Sequence, residues 1–593
     1  MTNLKPRRRF SMALLLVGAT AATGITGATA ALADDEPVTV EDYRAIANWS
    51  ALSMDLEVNL TGEIPQYTGT IKLRSNAASL HGPVLILDNR DVGMKLLDLK
   101  VRGGSKALPK YTIEMHIPNP TGRKSKLAAV HFETPVPAST ELELSYDYEF
   151  VAEQGQVLHK PELDYASWVT GWYPRPIADA EGLQSLASFS MPGKISFVLP
   201  ETWDALSNGK LVRKRIEGGV KYVSWKSDDP IAWSYVAAPF TVSTVAVGDT
   251  DVSMYMLNPD QEIVKQKAIL IAKIITLLEE KFGNYPFKTF GLAEIPDNTT
   301  DYFGAASEQG FIVAETKNFV NDFGLTLFSH EVAHSWWGNK FSCTGKGSSL
   351  CTEAMAQIGT ILGTELLHGK NAVQDLMDAS VPNYNLSQSA RGFFALWRTG
   401  HAIPLGEVEG GWKVHRLMDS KGMWFWQMLR EEVGDEKFFS VLRSLSNDVL
   451  RLSLVELEEY FSEKTKQDLS VFFDQWLNRT GAPIVDMEWK VISQVEKNPF
   501  GIDGTFETIT FGQTEGVKKI EVTLTQEQKE LYKLKPEIEV QFYYAPSVTR
   551  VVDFEKRKQI FEFEFEEAIK DIVLDPEHKI LMWRPAYGPK PKL

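Results

Sequence analysis

Cysteine is nearly absent from this chain: there are two, Cys343 and Cys351, in 593 residues. So few exclude a disulfide-stapled scaffold, and the cores of a chain this long must come from apolar packing. Past the N-terminus, no apolar run reaches the length that spans a membrane without charges. No lysine-rich block follows the N-terminus either, and the formal charge of −16 argues against a nucleic-acid surface. Internal repeats and low-complexity linkers are missing as well. What remains, 44% hydrophobic and 24% charged, is an ordinary soluble composition with room for several domains.

The first thirty-three residues read as a targeting segment. Lys5, Arg7, Arg8 and Arg9 form a positive head, Ser11 to Ala30 is small and apolar, and Ala31, Leu32 and Ala33 offer a cleavage site before Asp34 and Asp35. Cleavage would remove four positive charges and no negative ones, taking −16 to −20. The arginine run followed by Phe10 resembles a twin-arginine signal, and an ordinary secretory signal reads equally from it. The apolar stretch is just long enough to serve as a retained anchor instead. Either way the expected location is exported, extracellular or cell-envelope associated.

From about residue 40 to 245 the chain alternates apolar and polar residues. ALSMDLEVNL, TGTIKLR, PVLILD, KLLDLKV, YTIEMHI, AAVHFE and ELELSYDYEF are separated by turn-rich breaks and predict antiparallel sheet. The period changes near 250. Asp260 starts a helix whose Ile263, Ile271, Ile274, Leu277, Leu278 and Phe282 recur at helical spacing, and Gly283 ends it. Helical periods dominate to about 480. From about 488, KKIEVTLTQ, EIEVQFYYA, TRVVDFE, QIFEFEFEE and DIVLDPEHKILMW return to alternation and predict a small C-terminal β-sandwich.

The chemistry concentrates in HEVAHSWWGNKFSCTGKGSSLCTE, His330 to Glu353. His330 and His334, four residues apart, share one face of a helix and can grip a single ion. Two imidazoles and one carboxylate are the ligand set of a hydrolytic zinc site with a fourth position open to water. Glu331 stands where such sites carry the carboxylate that takes a proton from the attacking water. Glu353 falls in the first turn of a second predicted helix, capped by Ser348 or Ser349, with Leu350, Ala354, Ile358, Ile361 and Leu362 as its apolar positions. An acidic first-turn residue also complements the helix dipole, so spacing alone leaves Glu353 two roles. Cys343 and Cys351 lie between the two ligand segments, as a disulfide that pins the loop or as further zinc ligands.

The pattern H-E-x-x-H, eighteen residues, then Glu resembles the gluzincin aminopeptidases, the family of membrane alanyl aminopeptidase and leukotriene hydrolase. Trp336 to Asn339, W-W-G-N, is similar to that family's extension of the motif, and Phe472, Phe473, Trp476, Gly481 and Pro483 to the end of its catalytic domain. GWYPRP, Gly171 to Pro176, resembles its turn near the cleft, and reads as well as an aromatic-capped turn in a β domain. The resemblance implies a multidomain α+β chain. An N-terminal antiparallel β-saddle (34–248) precedes a thermolysin-like, mainly helical zinc domain (249–487) and a small C-terminal β-sandwich (488–593). It implies one Zn2+ per chain on His330, His334 and Glu353, with Glu331 as general base and a peptide or protein as substrate.

Two motifs depart from the family. Aligning Gly304, Ala305 and Gly310 with G-A-M-E-N puts Ser307 where relatives hold the substrate's free amine with a glutamate, and Glu308 one place later. On a regular strand a one-residue offset faces the opposite way. Further on, the family's Tyr-x-Lys-Gly, whose phenol donates to the oxyanion, reads Asp419, Ser420, Lys421, Gly422. An ionised carboxylate repels an oxyanion. His415, four residues earlier on the same helical face, could donate in its place when paired with Asp419, and Tyr384 is another candidate donor. Three functions follow: an aminopeptidase, an endopeptidase on the same fold, or a zinc-holding relative that binds peptides or proteins with little turnover.

Overall fold

The computed structural model describes residues 48–592 apart from 88–92, 105–106, 120–124, 151–156, 178–189, 248–249, 300–303, 321–323, 380–388, 411, 450 and 497–515. The targeting segment expected at 1–33 and the candidate donor Tyr384 lie outside the described residues.

Alternation becomes sheet in the N-terminal part. The seven quoted segments fall on β1 (Trp49–Asn59), β2 (Gln66–Ser75), β3 (Ser79–Leu87), β4 (Met94–Gly103), β5 (Tyr111–Pro118), β6 (Lys126–Val136) and β7 (Glu141–Phe150). A seven-stranded sheet runs Lys210–Glu217, Val220–Ile231, Met191–Pro200, β1, β2, β7, β4. Its pairs are antiparallel except β1 with Met191–Pro200, where Met54 stands opposite Gly193 in a parallel register. Its inner strands bury alternate side chains, as in β2, where Tyr67, Ile71 and Leu73 face the core, while the edge strand Lys210–Glu217 is exposed throughout. GWYPRP is packed into this region: the Trp172 indole donates to the Trp233 carbonyl at 2.7 Å, and both rings are buried.

A five-stranded sheet links this region to the helices, in the order Thr241–Val247, Thr250–Met256, Phe290–Ile295, Phe311–Glu315, Ala305–Glu308. Its alternate residues divide between two cores: Leu292 and Ile312 join the helical core, while Ala293 and Val313 join the β core. The hairpin Thr241–Met256 crosses the limit expected at 248/249, since Val247 pairs with Thr250. The strand Val485–Glu496 crosses the one at 487/488.

Helix α1 (Gln261–Phe282) begins where Asp260 accepts from the Glu262 and Ile263 amides and ends at Gly283, which adopts a positive φ of 95°. Its buried face continues into the packing around α2 (Gly324–Ala333) and α3 (Glu353–His368). The C-terminal part consists of two three-stranded sheets, Val485–Glu496/Gly516–Gln526/Lys558–Phe565 and Val548–Val551/Glu537–Phe542/Ile569–Leu574. The segment DIVLDPEHKILMW is strand only to Leu574. Asp575 and His578 then take positive φ, and the Asp575 carboxylate binds the amides of Lys579 and Ile580. Among the described residues, no helix is long and apolar enough to cross a membrane.

Candidate metal centre

The close packing of α2 on α3 assembles the site. A Cβ on Gly359 would lie 2.4 Å from Ala333 Cβ and 2.6 Å from the Ser329 carbonyl oxygen, so glycine is what lets the helices touch there. Helix α2 ends at Ala333, and His334 sits on the turn that closes it, its amide still bonded to the His330 carbonyl at 3.2 Å. The following tryptophans anchor that turn. Trp336 and Trp337 are fully buried against Phe282, and the Trp336 indole donates to Gly283 O at 3.0 Å.

Helix α3 begins with Glu353 itself. Ser348–Cys351 forms a separate 3-10 turn, and the N-cap position belongs to Thr352, which makes no side-chain cap bond. The expected cap at Ser348 or Ser349 is therefore corrected: the extra turn separates those serines from the helix. Trp426 fastens the turn by donating to the Leu350 carbonyl at 2.8 Å. Cys343 and Cys351 are bonded to each other, which removes them as zinc ligands.

These elements bring three donors together. His330 Nε2 and His334 Nε2 are 3.1 Å apart, and Glu353 Oε2 is 3.6 Å from each. His334 turns Nδ1 to the Trp337 carbonyl at 2.9 Å, which assigns the proton to Nδ1 and leaves the Nε2 lone pair for a metal. Donors about 2.0–2.1 Å from a tetrahedral zinc stand about 3.3–3.4 Å apart, so the trio has the chemistry and spacing of a zinc site.

Charge is concentrated around the trio. Burial raises Glu331, which is 6% exposed, above the ordinary carboxylate range, while His330 and His334 pull it down. Burial also works to raise Glu353, but the two imidazoles facing it, His334 foremost, outweigh it and hold the carboxyl well below its usual value. At His334, burial opposes the charge, and Glu353 and Glu331 overcome it to lift the imidazole to about 9. Carboxylates that raise a histidine's affinity for a proton raise its affinity for a divalent cation at the same lone pair.

Two further groups face this centre. The helix Trp412–Leu417 passes into a π-helical turn, Met418–Gly422, a distortion frequent at functional sites. It carries Asp419 inward, 6% exposed, while His415 remains open to solvent. His415 Nδ1 is 3.7 Å from Asp419 Oδ2 and 3.6 Å from Glu353 Oε2, so the expected pairing of His415 with Asp419 forms, and it includes Glu353. Asp419 leads the carboxylate influences that lift His415 to about 9.

On the strand Ala305–Glu308, Ser307 and Glu308 face opposite ways, opposite Ile312 and Phe311 of the partner strand. Ser307 Oγ accepts from Asn339 at 3.2 Å. Glu308 is 1% exposed, accepting from the Tyr165 hydroxyl and from Ser234 Oγ at 2.6 Å each. Burial raises its carboxyl to about 7, and Glu331 adds to the rise, which puts the two carboxylates within electrostatic reach. Gly304 and Ala305 act through their backbone. The Gly304 carbonyl accepts from Glu315 N and Asn318 Nδ2, and Ala305 pairs with Ala314.

Sequence reasoning missed Tyr165 and Ser234, which reach Glu308 from the N-terminal sheets across a long gap in sequence. It also missed Gln357, whose Nε2 donates to Asp419 Oδ1 at 3.1 Å. Gln357 lies four residues after Glu353 on one helix face, and that spacing could have revealed it.

No protein-family model matches the chain. It is 23% identical over 353 residues to aminopeptidase M1-D of Oryza sativa subsp. japonica, a match covering 54% of this chain and 38% of that protein. Its fold matches Legionella pneumophila aminopeptidase A, seen in a crystal structure in complex with aspartic acid, with a TM-score of 0.62 at 14% identity. That match covers 92% of this chain and 61% of the other, so this chain spans less than two thirds of the length of either protein. The chain is thus similar in sequence to one aminopeptidase and in fold to another.

Proposed function

We propose that this chain is a zinc-dependent aminopeptidase. The observation that carries the reading is the meeting of His330 Nε2, His334 Nε2 and Glu353 Oε2 beside the buried carboxylate of Glu331. Zinc, when bound, lowers the pKa of a coordinated water towards about 7 and polarises the scissile carbonyl. Glu331 then accepts the proton of the attacking water and returns it to the leaving amine, and its burial raises its basicity, the direction that exchange needs. A structural zinc needs no such base and takes four protein ligands, whereas this cluster offers three.

Glu308 is the proposed anchor for the substrate's α-ammonium. Its oxygens accept from Tyr165 and Ser234, and a carboxylate has about four acceptor sites. The occupied carboxylate also favours a second reading, an endopeptidase that leaves the amine alone, and Asp419 in place of a phenol donor favours a binding protein with little turnover. The leader expected at 1–33 puts the activity outside the cytoplasm.

Hydrolysis of aminoacyl-anilides and of an internally quenched, N-blocked peptide, each with and without chelator, separates the readings. The aminopeptidase cleaves only the free-amine substrates, and zinc restores what chelation removes. Cleavage of the blocked peptide alone would establish the endopeptidase, and silence on both with zinc bound would establish the binding role.

A further inference from the structure

Glu353 faces two groups of donors. Beyond the histidine pair, its Oε2 is 3.6 Å from His415 Nδ1, and His415 Nδ1 is 3.7 Å from Asp419 Oδ2. Donor atoms of Glu353, His415 and Asp419 all lie within 4.8 Å of one another, as do those of His330, His334 and Glu353, and Glu353 alone belongs to both sets. The contacts in the second set are too long for hydrogen bonds. They match the edge of a coordination shell: two donors about 2.1 Å from one cation, at angles between tetrahedral and trigonal, stand about 3.4–3.6 Å apart.

The surroundings of Asp419 have the form that ligating carboxylates take. One oxygen, Oδ1, is fixed by Gln357, whose own side chain is buried with an unpartnered Oε1. The other, Oδ2, points to His415 at 3.7 Å. The group holds two carboxylates, of which Asp419 is buried, and one imidazole, an arrangement a divalent cation neutralises. The π-helical turn delivers Asp419 to it, and a Cβ on Gly422 would lie 2.7 Å from Ala354 Cβ, so the turn sits directly on the first turn of α3. His415 is open to solvent, which can complete the coordination with water.

We propose that Glu353, His415 and Asp419 hold a second divalent cation, with Glu353 shared between the two ions. Its one nitrogen and two carboxylate donors suit zinc or manganese. The proposal rests on Glu353 as a ligand of the first site but not on peptide hydrolysis, so it is tested by metal content and spectroscopy. The full chain is stripped with chelator, titrated with Zn2+ and separately with Mn2+, and its stoichiometry read by native mass spectrometry and elemental analysis. Two ions per chain are expected, and the two-manganese form should show the exchange-coupled paramagnetic resonance spectrum of carboxylate-bridged ions. Asp419→Asn, which keeps the side chain's shape, and His415→Ala should each bind one ion and lose the coupling. Their circular dichroism should match that of the unaltered chain. A wild-type chain that binds one ion, lost in His334→Ala, would overturn the second site and leave the first intact. A wild-type chain that binds none would overturn both. Two ions retained in both variants would overturn the assignment of His415 and Asp419.

Discussion

The two walls of the candidate site differ in how many of the expected groups they carry. On the wall made by α2 and α3, every group needed for a metal and a base is present: His330, His334, Glu353 and Glu331. The surrounding strand Ala305–Glu308 and turn Met418–Gly422 carry Ser307 where a glutamate was expected and Asp419 where a tyrosine was expected. The first wall depends on two helices locked together at Gly359, and its donors must all meet one ion. The second is assembled from separate elements, a strand and a turn. Ligation tolerates little substitution, whereas substrate handling on the same fold can be rebuilt.

Glu331→Gln strikes the wall that is complete and should have the largest effect. It removes the base and keeps the shape, so turnover should fall by about a hundred- to ten-thousand-fold with zinc content unchanged. Anilide hydrolysis beside elemental analysis reads both. Loss of zinc in this variant would mean that Glu331 holds the metal rather than the proton.

Glu308→Gln probes the rebuilt wall. Losing a charged partner for the α-ammonium should lower kcat/KM on free-amine substrates by roughly 10- to 100-fold and leave N-blocked peptides unaffected. Anchoring needs the ionised carboxylate, so kcat/KM of the unaltered chain should rise with pH through about 7, and the variant should lose that limb. Stability runs the other way. The folded pKa lies above the unfolded value of 4.5, so the contribution of Glu308 is full below 4.5 and is lost as pH rises towards 7. Denaturant melts across that window should show the decline in the wild type and not in Glu308→Gln.

Lys421 supplies a control beside the same wall. It is fully buried, donates to the Arg479 carbonyl, and burial lowers it to about 7. The unfolded chain holds this proton up to 10.5 and the folded chain does not, so stability should rise between 7 and 10.5 by about 1.4 kcal/mol per pH unit. Lys421→Met should flatten that slope. The disulfide is the gentlest test: replacing both Cys343 and Cys351 with serine should cost about 2–3 kcal/mol of stability, read by denaturant melts, without altering metal content.

Much of this was legible in the chain. Strands such as β2 and β7 followed from alternation because they bury one face only, and α1 from the recurrence of Ile271, Ile274 and Leu278 with a cap at Asp260. The metal wall was legible because a four-residue spacing becomes a shared face on any helix. The start of α3 was misread because Ser348 and Ser349 are good cap residues that fold instead into a 3-10 turn. Tyr165 and Ser234 were invisible: nothing local marks a hydroxyl that reaches a carboxylate in another layer of the fold. The parallel pairing of β1 with Met191–Pro200 was equally hidden, since alternation fixes faces and not partners.

Anomalous diffraction at the zinc edge, from crystals of the full chain grown at neutral pH with zinc, tests the account most directly. It predicts a peak within about 2.1 Å of His330 Nε2, His334 Nε2 and Glu353 Oε2, absent in Glu353→Ala. A zinc-free centre in the unaltered chain, or a peak that Glu353 does not touch, would contradict it.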